Sequence, residues 1–219
     1  MRLPRSLSCL VLALGLALPS TAHASAPAPL GGGSVLQSSA ATRCTAGFAA
    51  VSGNTGYLIA SSACGRPGDT IRSAGRVVGV VVGAQTPPTG AIVIRVTNTT
   101  DWRLVASIPP TEPRVTITGS VEAPVGASVC RYGATTGWRC GIIQAKNVSI
   151  TFPEGTLTGL TRTSVCAEPG DNGGPFVSGT QAQGVLVGGS GNCSSGGSTF
   201  FAPVNRVLSA YGLMILAGT

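Results

Sequence analysis

From Cys44 onward the chain alternates between short apolar runs and polar breaks. The runs are rich in Val, Ile and Thr, and the breaks in Gly, Pro and Asn. They cover Gly56–Ala60, Arg76–Gly83, Ala91–Thr97, Trp102–Ile108, Arg114–Val121, Ala127–Tyr132, Trp138–Ala145, Asn147–Phe152, Gly155–Thr163 and Gln183–Gly188. Such runs, about ten residues apart, predict the strands of an all-β sandwich or barrel. The 32 glycines and 15 prolines fit many tight turns and few helices. One short C-terminal helix is predicted. Asn205 offers an N-cap, Val207, Leu208, Tyr211 and Ile215 share a helical face, and Gly212 weakens the pattern.

The N-terminus follows a different pattern. Arg2 and Arg5 precede an apolar run from Leu7 to Leu18, followed by Pro19-Ser20-Thr21-Ala22-His23-Ala24. This reads as a secretory signal peptide over residues 1–24, too short in its apolar part for a spanning helix. Residues 25–42, rich in Ala, Pro, Gly and Ser, read as a flexible leader. The cluster Pro109-Pro110-Thr111-Glu112-Pro113 cannot donate to a sheet ladder and divides the rest into residues 43–113 and 114–219. Two β-barrels facing across a cleft fit that division, although composition alone does not choose them over one sandwich.

Charge and cysteines narrow the chemistry. Without Arg2 and Arg5, 12 of the 14 basic residues remain against 7 acidic ones, and Lys146 is the only lysine. The arginines are scattered, so no nucleic-acid partner is expected. A polyanion or cell-envelope site through Arg72, Arg76, Arg95 and Arg103 is a second alternative, with a fall of binding in salt as its signature. Of 7 cysteines, Cys9 lies in the signal, leaving Cys44, Cys64, Cys130, Cys140, Cys166 and Cys193. An even set in an exported chain reads as disulfides, and chain order suggests 44–64, 130–140 and 166–193 among the connectivities open to six cysteines. No metal site and no cofactor are expected, since no C-x-x-C pair occurs and no histidine follows the signal. The expected product is secreted and monomeric, with no membrane association after cleavage.

The stretch Cys166-Ala167-Glu168-Pro169-Gly170-Asp171-Asn172-Gly173-Gly174 resembles the nucleophile loop of the streptogrisin and α-lytic group of secreted, chymotrypsin-like serine peptidases. Gly188-Gly189-Ser190-Gly191-Asn192-Cys193, Thr199-Phe200-Phe201-Ala202-Pro203-Val204, Val129-Cys130-Arg131-Tyr132-Gly133 and Arg43-Cys44-Thr45-Ala46-Gly47-Phe48 fit the same group. The resemblance covers about residues 43–213 and implies two Greek-key β-barrels with a short C-terminal helix.

That chemistry needs a serine, a histidine that takes its proton and an acid that orients the histidine. By the resemblance, the serine position is Asn172 and the histidine position, just before a cysteine, is Ala63. The acid position falls on Gly90 or Thr89, and a serine that supports the acid corresponds to Val187. The chain's one histidine, His23, lies in the signal, and no Asp or Glu occurs between Asp69 and Asp101. A carboxamide has no proton to lose near neutral pH, and Ser61 and Ser62 lack a base to activate them. The resemblance therefore implies a peptidase homologue that has lost catalysis; a serine endopeptidase with a non-standard site is the first alternative.

Other parts of the machinery remain. Gly170 and Asn172 would still offer the backbone donors of an oxyanion hole. Asp171 is expected to be semi-buried and paired with Arg131. Val187, Gly188 and Gly189 would form a substrate wall able to hold a peptide, or an inhibitor's reactive loop, by β-addition. The bland alternative is that the loop persists only as scaffold for the second barrel.

Overall fold

Strand pairing starts earlier than composition suggests. The computed structural model describes residues 26–39, 42–84, 89–112, 114–153 and 155–218, so the expected signal peptide lies outside the described residues. In the first half, β1 is Ala28–Leu30, β2 Val35–Ser38, β3 Arg43–Thr45, β4 Phe48–Ser52 and β5 Thr55–Ser61. These are followed by β6 Thr70–Ser73, β7 Arg76–Ala84, β8 Ala91–Val96 and β9 Trp102–Leu104. The expected leader is thus largely structured: β2 pairs with both β3 and β6, and β1 runs parallel to β9. Leu30 and Leu36 are the reason. Both side chains are 0% exposed, and burying each contributes about 1.5–3 kcal/mol.

The first half forms an eight-stranded sheet in the order β18-β4-β5-β8-β7-β6-β2-β3, where β18 is Met214–Ile215 from the chain end. Only Ala46 and Gly47 separate β3 from β4, so strands from opposite ends of that order are held together and the sheet must curl. On either side of the proline-rich stretch, β10 (Ser107–Ile108) pairs antiparallel with β11 (Val115–Thr116).

The second half closes into a six-stranded barrel in the order β12-β13-β14-β17-β16-β15. Its strands are β12 Ser128–Gly133, β13 Gly137–Phe152, β14 Gly155–Thr163, β15 Pro175–Ser178, β16 Gln181–Asn192 and β17 Gly196–Pro203. Two expected strands, Trp138–Ala145 and Asn147–Phe152, are one. Asn147 adopts φ 56°, and the β13–β14 register shifts on either side of it, so the polar break is a bulge rather than an end.

The predicted helix is present as α1, Val204–Tyr211, but its cap differs. Pro203 occupies the N-cap position without a side-chain bond, while Asn205 lies inside the first turn. There its Nδ2 donates to the Ser120 carbonyl at 2.8 Å. Gly212 ends the helix in the left-handed region at φ 59°, where lack of a Cβ removes the steric cost, and Ile215 belongs to β18 rather than the helix.

One apolar cluster joins the two halves. Phe48, Ile59 and Val93 from the first pack with Val177, Val185 and Val207 from the second. Gly47 marks the closest approach: a Cβ there would run into Val185 and the Ile59 carbonyl. The cleft described next opens along this junction.

Candidate functional site

Three bridges form, Cys44–Cys64, Cys130–Cys140 and Cys166–Cys193, the pairing that chain order suggests. The first ties β3 to the 3₁₀ turn Ser62–Cys64, and the third anchors the start of the 166–174 loop beside β16.

The loop is fixed by its carboxylate. Asp171 Oδ2 lies 3.2 Å from Arg131 Nη2, and both side chains are 0% exposed, so Asp171 is fully rather than semi-buried. Asp171 also accepts from the N–H groups of Glu168, Thr135 and Thr136 and from the Thr136 hydroxyl. Burial alone would push this carboxyl up. The Glu168 N–H, the Arg131 charge and the Thr donors outweigh burial and hold it below the usual carboxylate range. Arg131 Nη2 donates further to Thr136 Oγ1 and the Cys166 carbonyl, while Nε and Nη1 are buried without an acceptor among the described residues. The pair therefore specifies the loop's shape more than it adds stability.

Around this anchor the backbone turns outward. Gly170 and Gly173 take φ 94° and 86°. The Pro169 carbonyl accepts from Thr135 Oγ1 at 2.8 Å, and the Asp171 carbonyl accepts from the Gly174 N–H at 2.9 Å. Because N–H and C=O oppose each other across a trans peptide, the Gly170 and Asn172 N–H groups point away from those partners. Neither has an acceptor among the described residues. Thr45 locks the loop to the first half: its N–H donates to the Asn172 carbonyl and its hydroxyl to the Gly170 carbonyl, each at 2.8 Å.

Asn172 lines two adjoining cavities. The larger, about 590 Å³, is bounded by Ser62, Ala63, Arg66, Phe152, Leu157 and Val187 among others. The smaller, about 380 Å³, runs from Ala167, Glu168 and Pro169 past Val187, Gly188 and Gly189 to Thr199. Glu168 does not point its charge freely into it, because Oε1 accepts from the Cys193 N–H at 2.8 Å.

Gly90 stands beside this space. Its carbonyl accepts from the Ser62 N–H at 2.7 Å, and a Cβ on it would meet Leu157 Cδ1 at 2.8 Å and Val187 Cβ at 3.0 Å. Thr89, 3% exposed, accepts from the Ala91 N–H through Oγ1. The structure thus brings Ala63, Gly90, Asn172 and Val187 together at one junction, with Gly170, Gly188 and Gly189 next to it. The turn Pro88 that precedes Thr89 lies outside the described residues.

Arginines proposed as a polyanion surface are partly engaged elsewhere. Arg76 stacks 4.3 Å over the Trp102 ring and faces Asp101 at 3.6 Å, and Arg72 Nη1 donates to the Gly75 carbonyl. Two cleft residues escaped the sequence reading, Arg66 and Phe152. Arg66 follows Cys64 by two positions, which is the signal that it would share the cleft. Phe152 ends β13 and approaches Gly188, whose Cβ position lies 2.8 Å from its ring. Among the described residues no metal-ligand cluster occurs, and no helix is long and apolar enough to cross a membrane.

Residues 99–210 match the family model described as Trypsin. Streptogrisin-C of Streptomyces griseus is 45% identical over 193 residues, covering 86% of this chain and 41% of that protein. The chain therefore spans less than half the length of that relative. Among solved structures, Thermobifida fusca Protease A is 43% identical with a TM-score of 0.80, covering 87% of this chain and 100% of that one. The chymotrypsin of Cellulomonas bogoriensis is 44% identical, with a TM-score of 0.78 and coverage of 87% and 100%. Two curled β units meeting at a cleft, three bridges in chain order and these likenesses together make the chain a member of the trypsin-like serine protease family, with the chymotrypsin-like fold.

Proposed function

We propose that this chain is a secreted, catalytically inactive member of its family, and that its cleft binds a peptide or an inhibitor's reactive loop without cutting it. The observation that carries the reading is the composition of the junction itself. Where a nucleophile and a base would stand, the cleft presents Asn172 and Ala63, where an acid would stand the buried Gly90 lies beside it, and the sequence holds no histidine besides His23. Loss of one member of such a set costs several orders of magnitude in rate, and here all three are absent. The Val187 and Leu157 side chains, packed where a Cβ on Gly90 would project, fill the space with hydrocarbon. Three disulfides support an oxidising compartment, in line with export.

The relatives bear the names of proteases, so hydrolysis is the competing reading and decides the test. Purified protein is expected to leave peptide esters and amides intact and to resist labelling by a fluorophosphonate. Labelling at Ser61 or Ser62, or ester hydrolysis abolished by changing residues around Asn172, would replace the binding reading with that of an enzyme using a relocated site.

A further inference from the structure

We propose that the cleft is a receptor for peptides that end in a free carboxylate after an apolar residue. This rests on the binding reading above and names the ligand class. Four observations converge on it. First, the Gly170 and Asn172 N–H groups are open donors at the cleft, with no acceptor among the described residues. Second, Arg66 lines the larger cavity beside Ala63, and its guanidinium has no acidic partner among the described residues. Its backbone is engaged by Asp69, whose Oδ2 accepts from the Arg66 N–H and whose N–H donates to the Arg66 carbonyl, while no hydrogen bond of the guanidinium occurs among the described residues.

Third, Arg43 stands beside the 166–174 loop, outside the lining of either cavity: its Nη1 lies 3.5 Å from the Cβ position of Gly170, and this exposed guanidinium is likewise unpaired among the described residues. Fourth, the larger cavity has no carboxylate in its described lining, and Glu168 in the smaller one is turned to the Cys193 N–H.

The consequence is electrostatic. With Ala63 and Gly90 in place of a base and an acid, the larger cavity keeps its donors and the Arg66 cation with no carboxylate among its described lining residues. A neutral amide carbonyl uses such donors weakly, whereas a carboxylate meets them with a full charge and makes hydrogen bonds roughly twice as strong. The Asn172 carboxamide adds N–H donors to the same position. The smaller cavity, walled by Ala167, Pro169, Val187 and the Gly188-Gly189 edge, then receives the terminal side chain.

The test is calorimetric titration of the full chain with N-acetyl Ala-Ala-Ala-Phe as the free acid and as the C-terminal amide. We expect the acid to bind at least about tenfold more tightly, with the preference shrinking as salt is raised. Arg66→Gln, a surface change, should weaken the acid severalfold and leave the amide unaltered. Equal binding of acid and amide, or binding of neither, overturns the inference while leaving the lack of catalysis intact. Release of ammonia from the amide would instead overturn the inactive reading on which it stands.

Discussion

At the scale of single residues, Gly90 constrains the site as strongly as Asn172 does. Its φ of 75° lies in the left-handed region, and Leu157 and Val187 occupy the space a side chain would need. Asn172→Ser alone restores a hydroxyl with no base beside it, and we expect no measurable gain in ester hydrolysis. Adding Ala63→His and Gly90→Asp should fail for a different reason. Gly90→Asp forces a carboxylate into hydrocarbon on a strained backbone, at a cost of roughly 2–4 kcal/mol read by denaturant unfolding. Recovery of hydrolysis by Asn172→Ser, or an undiminished stability of Gly90→Asp, would refute this account. On the inactive reading proposed above, the loss would be built into the packing rather than into a single exchanged letter.

At the scale of elements, the segment before Cys44 is the instructive one. Its composition reads as a loose leader, yet β1 and β2 add to the first half, where Leu30 and Leu36 vanish into the core beside Ile71 and Trp102. Leu36→Ala should destabilise the protein by about 2–5 kcal/mol in urea unfolding, a loss a true leader would not show. Period and propensity found most of the other strands, because Val, Ile and Thr at alternating positions suit a half-buried pleat. The runs named do not include the glycine-rich β17 or the strands β1 to β4, β6 and β15, which at three to five residues are too short for a period to register. They also split β13 at Asn147, since a polar break looks the same whether it ends a strand or bulges within it.

At the scale of the whole molecule, Asp171 links acidity to the joining of the two halves. Its loop is bonded to Thr45 of β3, and its carboxyl sits below its ordinary value when folded. Such a group contributes stability that is present above the unfolded value of about 4 and is lost as pH falls through the lower folded value. The thermal midpoint should therefore drop in acid below about pH 4, and Asp171→Asn should both lower the neutral-pH midpoint and flatten that slope. Removing the carboxylate strands the Arg131 charge, which costs about 3–5 kcal/mol. A slope unchanged by Asp171→Asn would assign the acid sensitivity to other groups.

The sequence by itself determined that the chain is β-built, suggested that six cysteines pair in chain order, and through the resemblance named the residue types a cleft of this family would contain. These rest on local properties: side-chain period, turn residues, spacing and the bare absence of a histidine after His23. Only the tertiary structure decided that the leader is strand, that Asp171 is wholly enclosed with Arg131, and that Arg66 and Phe152 face the same cavity as Asn172. Those facts depend on contacts between residues distant in the chain. Whether a scattered arginine is solvated surface or the unpaired cation of a binding cleft is set by what the fold places around it.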